Sequence, residues 1–299
     1  MELRQLRHFL AVAEALHFGK AAESLHMTQP PLSQSIKALE ADLGVELFFR
    51  TKRTVRLTPV AKEWLPHARR VLDEAAGLPD LARRLSRGQV GRLRIGFVSF
   101  VGYSFLPRLV SRFKQTYKEV DVELNEAVSN VQIDGLLAGE LDIGLMIAPP
   151  NRGMPASLSY LPLASEELVV AMPSSWLDGT VDTREDDTIS FAELKDKPLV
   201  LFPRAGAPVL HDLVTALYAE HDAEPVVVQR AMQMQTIINL VAAEMGVALV
   251  PGSMRALAPE GVSYVKLRAA APKIEFGIGW RPDDASAAVH KFIALAGEA

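Results

Sequence analysis

The sequence predicts a chain of three parts: a small helical unit closed by two short strands, one long amphipathic helix, and an α/β region built in two lobes. Three observations carry this expectation. Apolar residues recur at three- and four-residue steps through residues 3–43. A seven-residue apolar repeat then runs through residues 59–88. From residue 89 onward, strand-like and helix-like segments alternate.

In the first part, Leu3, Leu6, Phe9, Leu10, Ala13 and Leu16 fall on one helical face. Phe18 to Leu25 reads as a short second helix with Ala21, Ala22 and Leu25 inward, and His26-Met27-Thr28 as a turn. Thr28 is a suitable N-cap, and Pro30 and Pro31 fall in a first turn where a missing N–H costs little. The helix that follows, Leu32 to Leu43, buries Leu32, Ile36, Leu39 and Leu43 and stops at Gly44. Its other side carries Gln29, Ser33, Gln34 and Lys37, polar groups of a size that can hydrogen-bond base edges in a major groove. An ordinary solvated face is the alternative, and the paired helices, the two prolines and the segment after them weigh against it. That segment, Val45 to Thr58, reads as two strands around a basic tip, with Arg50, Lys52, Arg53 and Arg56 and no acid between residues 50 and 56. A tip of this kind can follow a phosphate backbone or enter a minor groove. The whole is a winged helix-turn-helix spanning residues 1–58.

Composition agrees with that division. The chain has 299 residues, 49% of them hydrophobic, enough for more than one core. Residues 1–58 hold eight cations against six acids, residues 59–88 six against four, and residues 89–299 eighteen against twenty-six. The basic excess therefore lies where phosphate can be met, and the acidic remainder repels it. With no cysteine in the chain, disulfides, cysteine-ligated zinc and a thiol switch are excluded. The stretch Met1 to Arg7 lacks the apolar core of a signal peptide. No apolar run approaches the ~18 residues of a membrane span. A cytoplasmic protein without a membrane partner, metal or cofactor is expected.

The first part resembles the LysR-type transcriptional regulators. The residues that carry the likeness are Leu6 to Phe9, Ala21-Ala22, Leu25, Thr28-Gln29-Pro30, Leu32-Ser33, Ile36, Leu39-Glu40, Leu43-Gly44, Leu47-Phe48, Arg50 and Leu57-Thr58. The resemblance implies that the second helix of the motif reads the major groove of double-stranded DNA. Gln29, Pro30, Pro31, Ser33 and Gln34 are then the reading residues. Lys37, Arg50 and Arg53 become phosphate or minor-groove contacts.

Residues 59–88 place Ala61, Ala68, Ala75 and Ala82 at one seam position and Trp64, Val71, Leu78 and Leu85 at the other. A stripe this narrow asks for a partner helix; a single connector lying on the sensor domain is the alternative. Pro66, Gly77 and Pro79 are expected to kink or interrupt the helix. In the resembled family this linker joins subunits, which implies a homodimer, and a homotetramer through the sensor regions. Two reading heads on a two-fold axis call for an interrupted palindromic promoter site.

Residues 89–299 read as an open, mostly parallel sheet with helices on both faces and two subdomains, about 91–163 with 267–299, and 164–266. Strands are read at Arg92–Val98, Val120–Leu124, Leu141–Ile147, Leu168–Met172, Leu199–Phe202, Val226–Val228, Val247–Val250 and Ile274–Gly279. Ligands in such folds bind beyond the carboxyl ends of the strands. That rule selects Ser99, Phe100 and Val101 after the first strand, Ser129 and Asn130 before the second helix, and Phe202, Pro203 and Arg204 at the central strand. Hydroxyls, helix N-terminal amides and one arginine suit a carboxylate. The alternatives stay open: N-caps for the serines, core for Phe202, a surface ion pair for Arg204.

The resemblance continues through Leu93–Gly96, Leu106-Pro107, Leu136–Gly139, Asp142-Ile143-Gly144 and Val241 to Pro251, and so covers the whole chain. It implies an effector-binding domain similar to the periplasmic solute-binding fold. Leu201 to Arg204 with Ser99 looks most like the regulators of aromatic catabolism that respond to muconate-type acids. Some of these carry a basic residue near the end of the Gly144 strand; here Met146 and Ile147 stand there. Met146 joins the effector set on that basis. The implied partners are promoter DNA, RNA polymerase and a small, carboxylate-bearing effector. No glycine-rich dinucleotide turn, phosphate loop, His-Glu-x-x-His or Gly-x-Ser-x-Gly pattern is present to support an enzyme. A transport-type solute-binding protein would leave the N-terminal part without a role.

Overall fold

A computed structural model describes residues 1–51, 54–149, 153–177, 188–268, 270–284 and 286–298. The chain divides into two units, Met1–Arg83 and Arg84–Ala299.

The first unit opens with helices α1 (Leu3–Ala15), α2 (Phe18–Ser24) and α3 (Gln29–Leu43). Their apolar spacing decides which side turns inward. Leu6, Phe9 and Val12 of α1, Ala21 and Ala22 of α2, and Leu32, Ile36 and Leu39 of α3 share one core. Thr28 is the N-cap of α3, with extended backbone and no capping side-chain bond. Pro30 and Pro31 sit in its first turn, where the N–H they lack has no intrahelical acceptor. Gly44 ends the helix at φ 71°, the left-handed conformation that glycine adopts without strain. Strands β1 (Phe48–Arg50) and β2 (Val55–Leu57) pair antiparallel, Phe48 opposite Leu57 and Arg50 opposite Val55.

Helix α4 (Pro59–Ser86) is continuous over 28 residues. Thr58 starts it: the hydroxyl accepts the Ala61 N–H at 3.2 Å and donates to the Glu46 carbonyl at 2.8 Å. Pro66 and Pro79 lie inside the helix without ending it. Both are exposed, so water can satisfy the carbonyls four residues back that lose their donors.

The second unit begins with β3 (Val90–Phe97), α5 (Phe105–Thr116), β4 (Glu119–Glu126), α6 (Ser129–Leu137) and β5 (Ile143–Met146). Then come β6 (Ser159–Pro173), β7 (Thr188–Ile189), α7 (Phe191–Leu194), β8 (Leu199–Leu201), α8 (Pro208–Ala219) and β9 (Val227–Arg230). The last elements are α9 (Met234–Ala242), β10 (Ala248–Pro251), β11 (Val262–Leu267), β12 (Lys273–Trp280) and α10 (Ala287–Gly297). Strand order is β4-β3-β5-β12-β6-β11-β7, with β10 also on β6. Strands β8 and β9 are a parallel pair, tied to the main sheet by a bridge between Leu199 and Val247.

The sheet is mixed rather than mostly parallel. β3 runs parallel to β4 and β5, but β12 is antiparallel to β5 and β6, and β10 and β11 are antiparallel to β6. Strand β6 serves both lobes: it pairs with β12 up to Glu167 and with β10 and β11 from Leu168. The chain leaves one lobe along β6 and returns along β12, so these two strands run against each other.

Two glycines set how closely α6 lies on the sheet. Gly96 and Gly144 are partners on β3 and β5. A Cβ on Gly96 would meet Leu141 Cδ1 at 2.7 Å and Gln132 Cγ at 3.0 Å, and one on Gly144 would meet Gln132 Oε1 at 3.0 Å. Bare backbone at both places lets α6 settle with its N-terminal residues near the ends of β3 and β5.

Candidate functional site

Helix α3 presents its polar side outward. Gln29, Pro30, Pro31, Gln34 and Lys37 are exposed and Ser33 is half-buried, while Leu32, Ile36 and Leu39 hold the inner side. Five of the six form one strip at steps of one, three and four residues, the geometry of a groove-reading edge. The helix is braced behind that edge. His8 Nδ1 and Ser35 Oγ lie 2.7 Å apart, and burial, with a smaller effect of Arg4, holds His8 below the usual imidazole range. At the head of α2, His17 Nδ1 accepts the Lys20 N–H at 3.3 Å.

The wing is tied to α3 by Glu40. Its Oε1 accepts the N–H groups of Leu47 at 2.9 Å and Phe48 at 3.2 Å, and its Oε2 pairs with Arg50. The Arg50 guanidinium also lies 5.0 Å from the centre of the Phe18 ring. Arg50, itself partly exposed, is thus paired with the half-buried carboxylate beside it and ties the wing to α3. Arg53 lies outside the described residues. Replacing Glu40 by alanine removes an acceptor from two backbone donors and leaves Arg50 without its counter-charge. A loss of about 2–3 kcal/mol follows, measurable as a fall in the denaturant midpoint of the full chain, together with weakened DNA binding in a mobility shift. Glu40→Gln keeps the backbone bonds and should lose about half as much.

On α4 the seam divides. Ala61 and Ala68 are buried in the first unit's own core, and Trp64 packs there with its ring 5.0 Å from Phe9. This packing against α1 leaves Trp64 half-buried. Further along, Val71, Leu78 and Leu85 stay exposed at seven-residue spacing, with Leu81 beside them. Leu81 was not read from the sequence, because it falls between the two seam positions.

In the second unit a cleft of about 100 Å³ opens beyond the ends of β3, β4 and β5. Ser99, Phe100, Ser129, Asn130 and Phe202 line it, as the strand-end rule selects. Glu126, Ile147, Ala148, Met232 and Gln233 line it too. Glu126 escaped the sequence reading because β4 runs two residues past Leu124. Met232 and Gln233 reach the cleft through the fold, from a loop far along the chain, and no local signal marks them. Ser99 Oγ donates to Glu126 Oε1 at 2.5 Å. Ser129 Oγ accepts the Ile147 N–H at 3.2 Å, so its own proton remains to be donated.

Four expected effector residues lie elsewhere. Met146 is fully buried among Ile133, Leu136, Leu141 and Leu158, because the strand period turns it to the face opposite its neighbour Ile147. Val101 is fully buried in a 3-10 turn. The Pro203 carbonyl accepts the N–H groups of Gly206 and Ala207 at 3.2 and 3.1 Å, shaping the turn into α8. Arg204 is exposed and makes a bidentate pair with Asp212, Nε to Oδ1 at 2.7 Å and Nη2 to Oδ2 at 2.9 Å. The pair holds Asp212 below the usual carboxylate range, chiefly through the Arg204 hydrogen bond. The arginine expected to anchor a carboxylate is thus paired with Asp212 of α8 and does not line the cleft.

An exposed polar reading edge with a wing, joined by a long helix to an α/β unit with a ligand-sized cleft, defines a ligand-responsive DNA-binding protein. Two family models match the chain: "Bacterial regulatory helix-turn-helix protein, lysR family" over residues 3–62 and "LysR substrate binding domain" over residues 86–299. The chain belongs to the LysR family of transcriptional regulators. It is 50% identical to the HTH-type transcriptional regulator IlvR of Caulobacter vibrioides, over 100% of this chain and 98% of that protein. It is 36% identical to the HTH-type transcriptional regulator AlsR of Bacillus subtilis, over 99% and 95% of the two chains. Among solved structures, full-length CbnR in complex with its target DNA matches with a TM-score of 0.75 and 29% identity, over 100% of this chain and 99% of that one. Among the described residues no helix is long and apolar enough to cross a membrane.

Proposed function

We propose that α3 reads promoter DNA through Gln29, Pro30, Pro31, Ser33 and Gln34, with Lys37 at a phosphate, and that the cleft binds the effector. The observation that carries the DNA reading is the exposure of this polar strip on a helix whose other side is core. Residues 1–58 then act as the reading head, residues 59–88 as the linker through which two chains join along Val71, Leu78 and Leu85, and residues 89–299 as the sensor. Sensor contacts assemble dimers into a homotetramer on an interrupted palindrome. A ligand favouring one closure of the two lobes shifts the spacing of the heads, the DNA bend and the contact with RNA polymerase. The protein acts in the cytoplasm as a regulator and not as an enzyme.

Gln34→Ala tests the reading head. A lost base contact is worth ~1–3 kcal/mol, so selection from a random-site DNA library should return a consensus relaxed at one position per half-site. An unchanged consensus removes Gln34 from the readout. Lys37→Ala should weaken all sequences alike and lower the salt slope by about one.

A further inference from the structure

We propose that the cleft accepts a ligand bearing a protonated amine, with Glu126 as its counter-charge; this rests on the cleft being the effector site. Among the described residues that line it, Glu126 is the one charged side chain, and it is negative. Arg204, the cation nearest in sequence to the lining residue Phe202, is paired with Asp212 and lines no part of the cleft. An anionic ligand meets the N-terminal residues of α6, α8 and α9 on the other walls, but at this end it faces the exposed Glu126 carboxylate with no opposing cationic side chain among these residues, a charge preference that water screens in part.

The hydrogen-bonding sense of the walls points the same way. Ser99 donates its hydroxyl proton to Glu126, so the two side chains at this end together offer lone pairs: an acceptor pair fitted to an N–H⁺ group. At Ser129 the hydroxyl already accepts from Ile147 and has a proton to give, which suits a neutral acceptor on the ligand. Between these ends lie Phe100, Ile147, Phe202 and Met232, an apolar floor. About 100 Å³ is several times what one water needs, so the occupant is a small apolar amine.

The test is a thermal-shift and calorimetric comparison on the full-length protein with matched probes. These are 3-methylbutylamine, 3-methylbutan-1-ol and 4-methylpentanoate, and phenethylamine, 2-phenylethanol and 3-phenylpropanoate. Muconate and benzoate complete the set. An amine should stabilise the protein saturably, with its alcohol and acid partners weaker by about tenfold or more. Glu126→Gln should remove that margin, and Glu126→Lys should turn the preference toward the acids. Saturable binding of an acid to the wild type, or of no amine, overturns the proposal. Asn130→Trp, at an exposed rim position, separates this from the parent reading. An acid that binds the wild type and is lost in Asn130→Trp leaves the cleft as the effector site and removes only the charge class. A ligand indifferent to Asn130→Trp removes both.

Discussion

Replacing Leu78 and Leu85 together by aspartate should dissociate the protein into single chains and lower its affinity for an operator by about 100-fold or more. These side chains are 60% and 49% exposed in the single chain, on a helix whose earlier seam is already filled. Large apolar groups left in water at seven-residue spacing are stabilised by a second helix carrying the same pattern. Each buried leucine contributes ~1.5–3 kcal/mol, and two chains double the count. Aspartate at these positions would set carboxylates against one another across the seam. Two tethered heads bind two half-sites with a high effective concentration, and a single head loses that gain without losing any contact of its own. Light scattering should report a mass near one chain, and a mobility shift should show a weak, salt-labile complex. A protein that remains dimeric would assign the stripe another role. Trp64→Asp should act differently, unfolding the first unit, because Trp64 packs against Phe9 inside it.

That difference between Trp64 and Leu78 marks the limit of a periodicity argument. The heptad places both on the same line. It cannot say that the first half of the line packs into its own unit, because that packing involves residues such as Phe9, distant in sequence. The same holds for the prolines: residue type predicts a break, and exposure, which a local pattern does not carry, removes most of the cost. The reading head was legible because its evidence is local. Helix spacing, a first turn with two prolines and a glycine stop all lie within one stretch of chain.

The sensor was legible as alternating elements and opaque as a site. Short apolar strands declare themselves; the first half of β6, Ser159 to Glu167, does not, since it includes Pro162 and mixes polar with apolar residues. Strand β11 and helix α10 were likewise unread. The strand-end rule found Ser99, Phe100, Ser129 and Phe202 because it depends only on where a strand stops. It also selected Arg204, where direction mattered and was invisible: Asp212, eight residues on, lies one turn into α8 and claims the guanidinium. Glu126 was missed by two residues of strand length, and with it the sign of the charge in the cleft.

The glycine-floored packing beneath the cleft depends on a charged clamp, and breaking it should be the largest single-residue effect on the sensor's stability. Asp142, 9% exposed, accepts the Arg94 N–H at 2.8 Å, Arg94 Nε at 3.1 Å and Arg94 Nη2 at 2.6 Å. Arg281 completes it. Its Nη1 donates to the carbonyls of Leu136 at 2.5 Å and Leu141 at 2.6 Å, and its Nη2 donates to Asp284 at 2.9 Å while lying 3.6 Å from Asp142. The last turn of α6 and the entry to β5 are thereby fixed to β3, where Gly96 and Gly144 admit the helix. Asp142→Ala strips one backbone donor and leaves Arg94 without its paired carboxylate, while Arg281 keeps Asp284. Both arginines retain some water, so the cost is set below that of a fully buried pair, at about 2–4 kcal/mol. For a unit of this size that is a fall of roughly 5–12 °C in its melting transition. Asp142→Asn keeps the shape and part of the acceptor and should lose about half. The released α6 also loosens Ser129 at its other end, so ligand affinity should fall in the same variants while operator binding by the ligand-free protein holds. A change below about 0.5 kcal/mol in Asp142→Ala, the range of an ordinary surface substitution, would mean that apolar packing alone keeps α6 on the sheet.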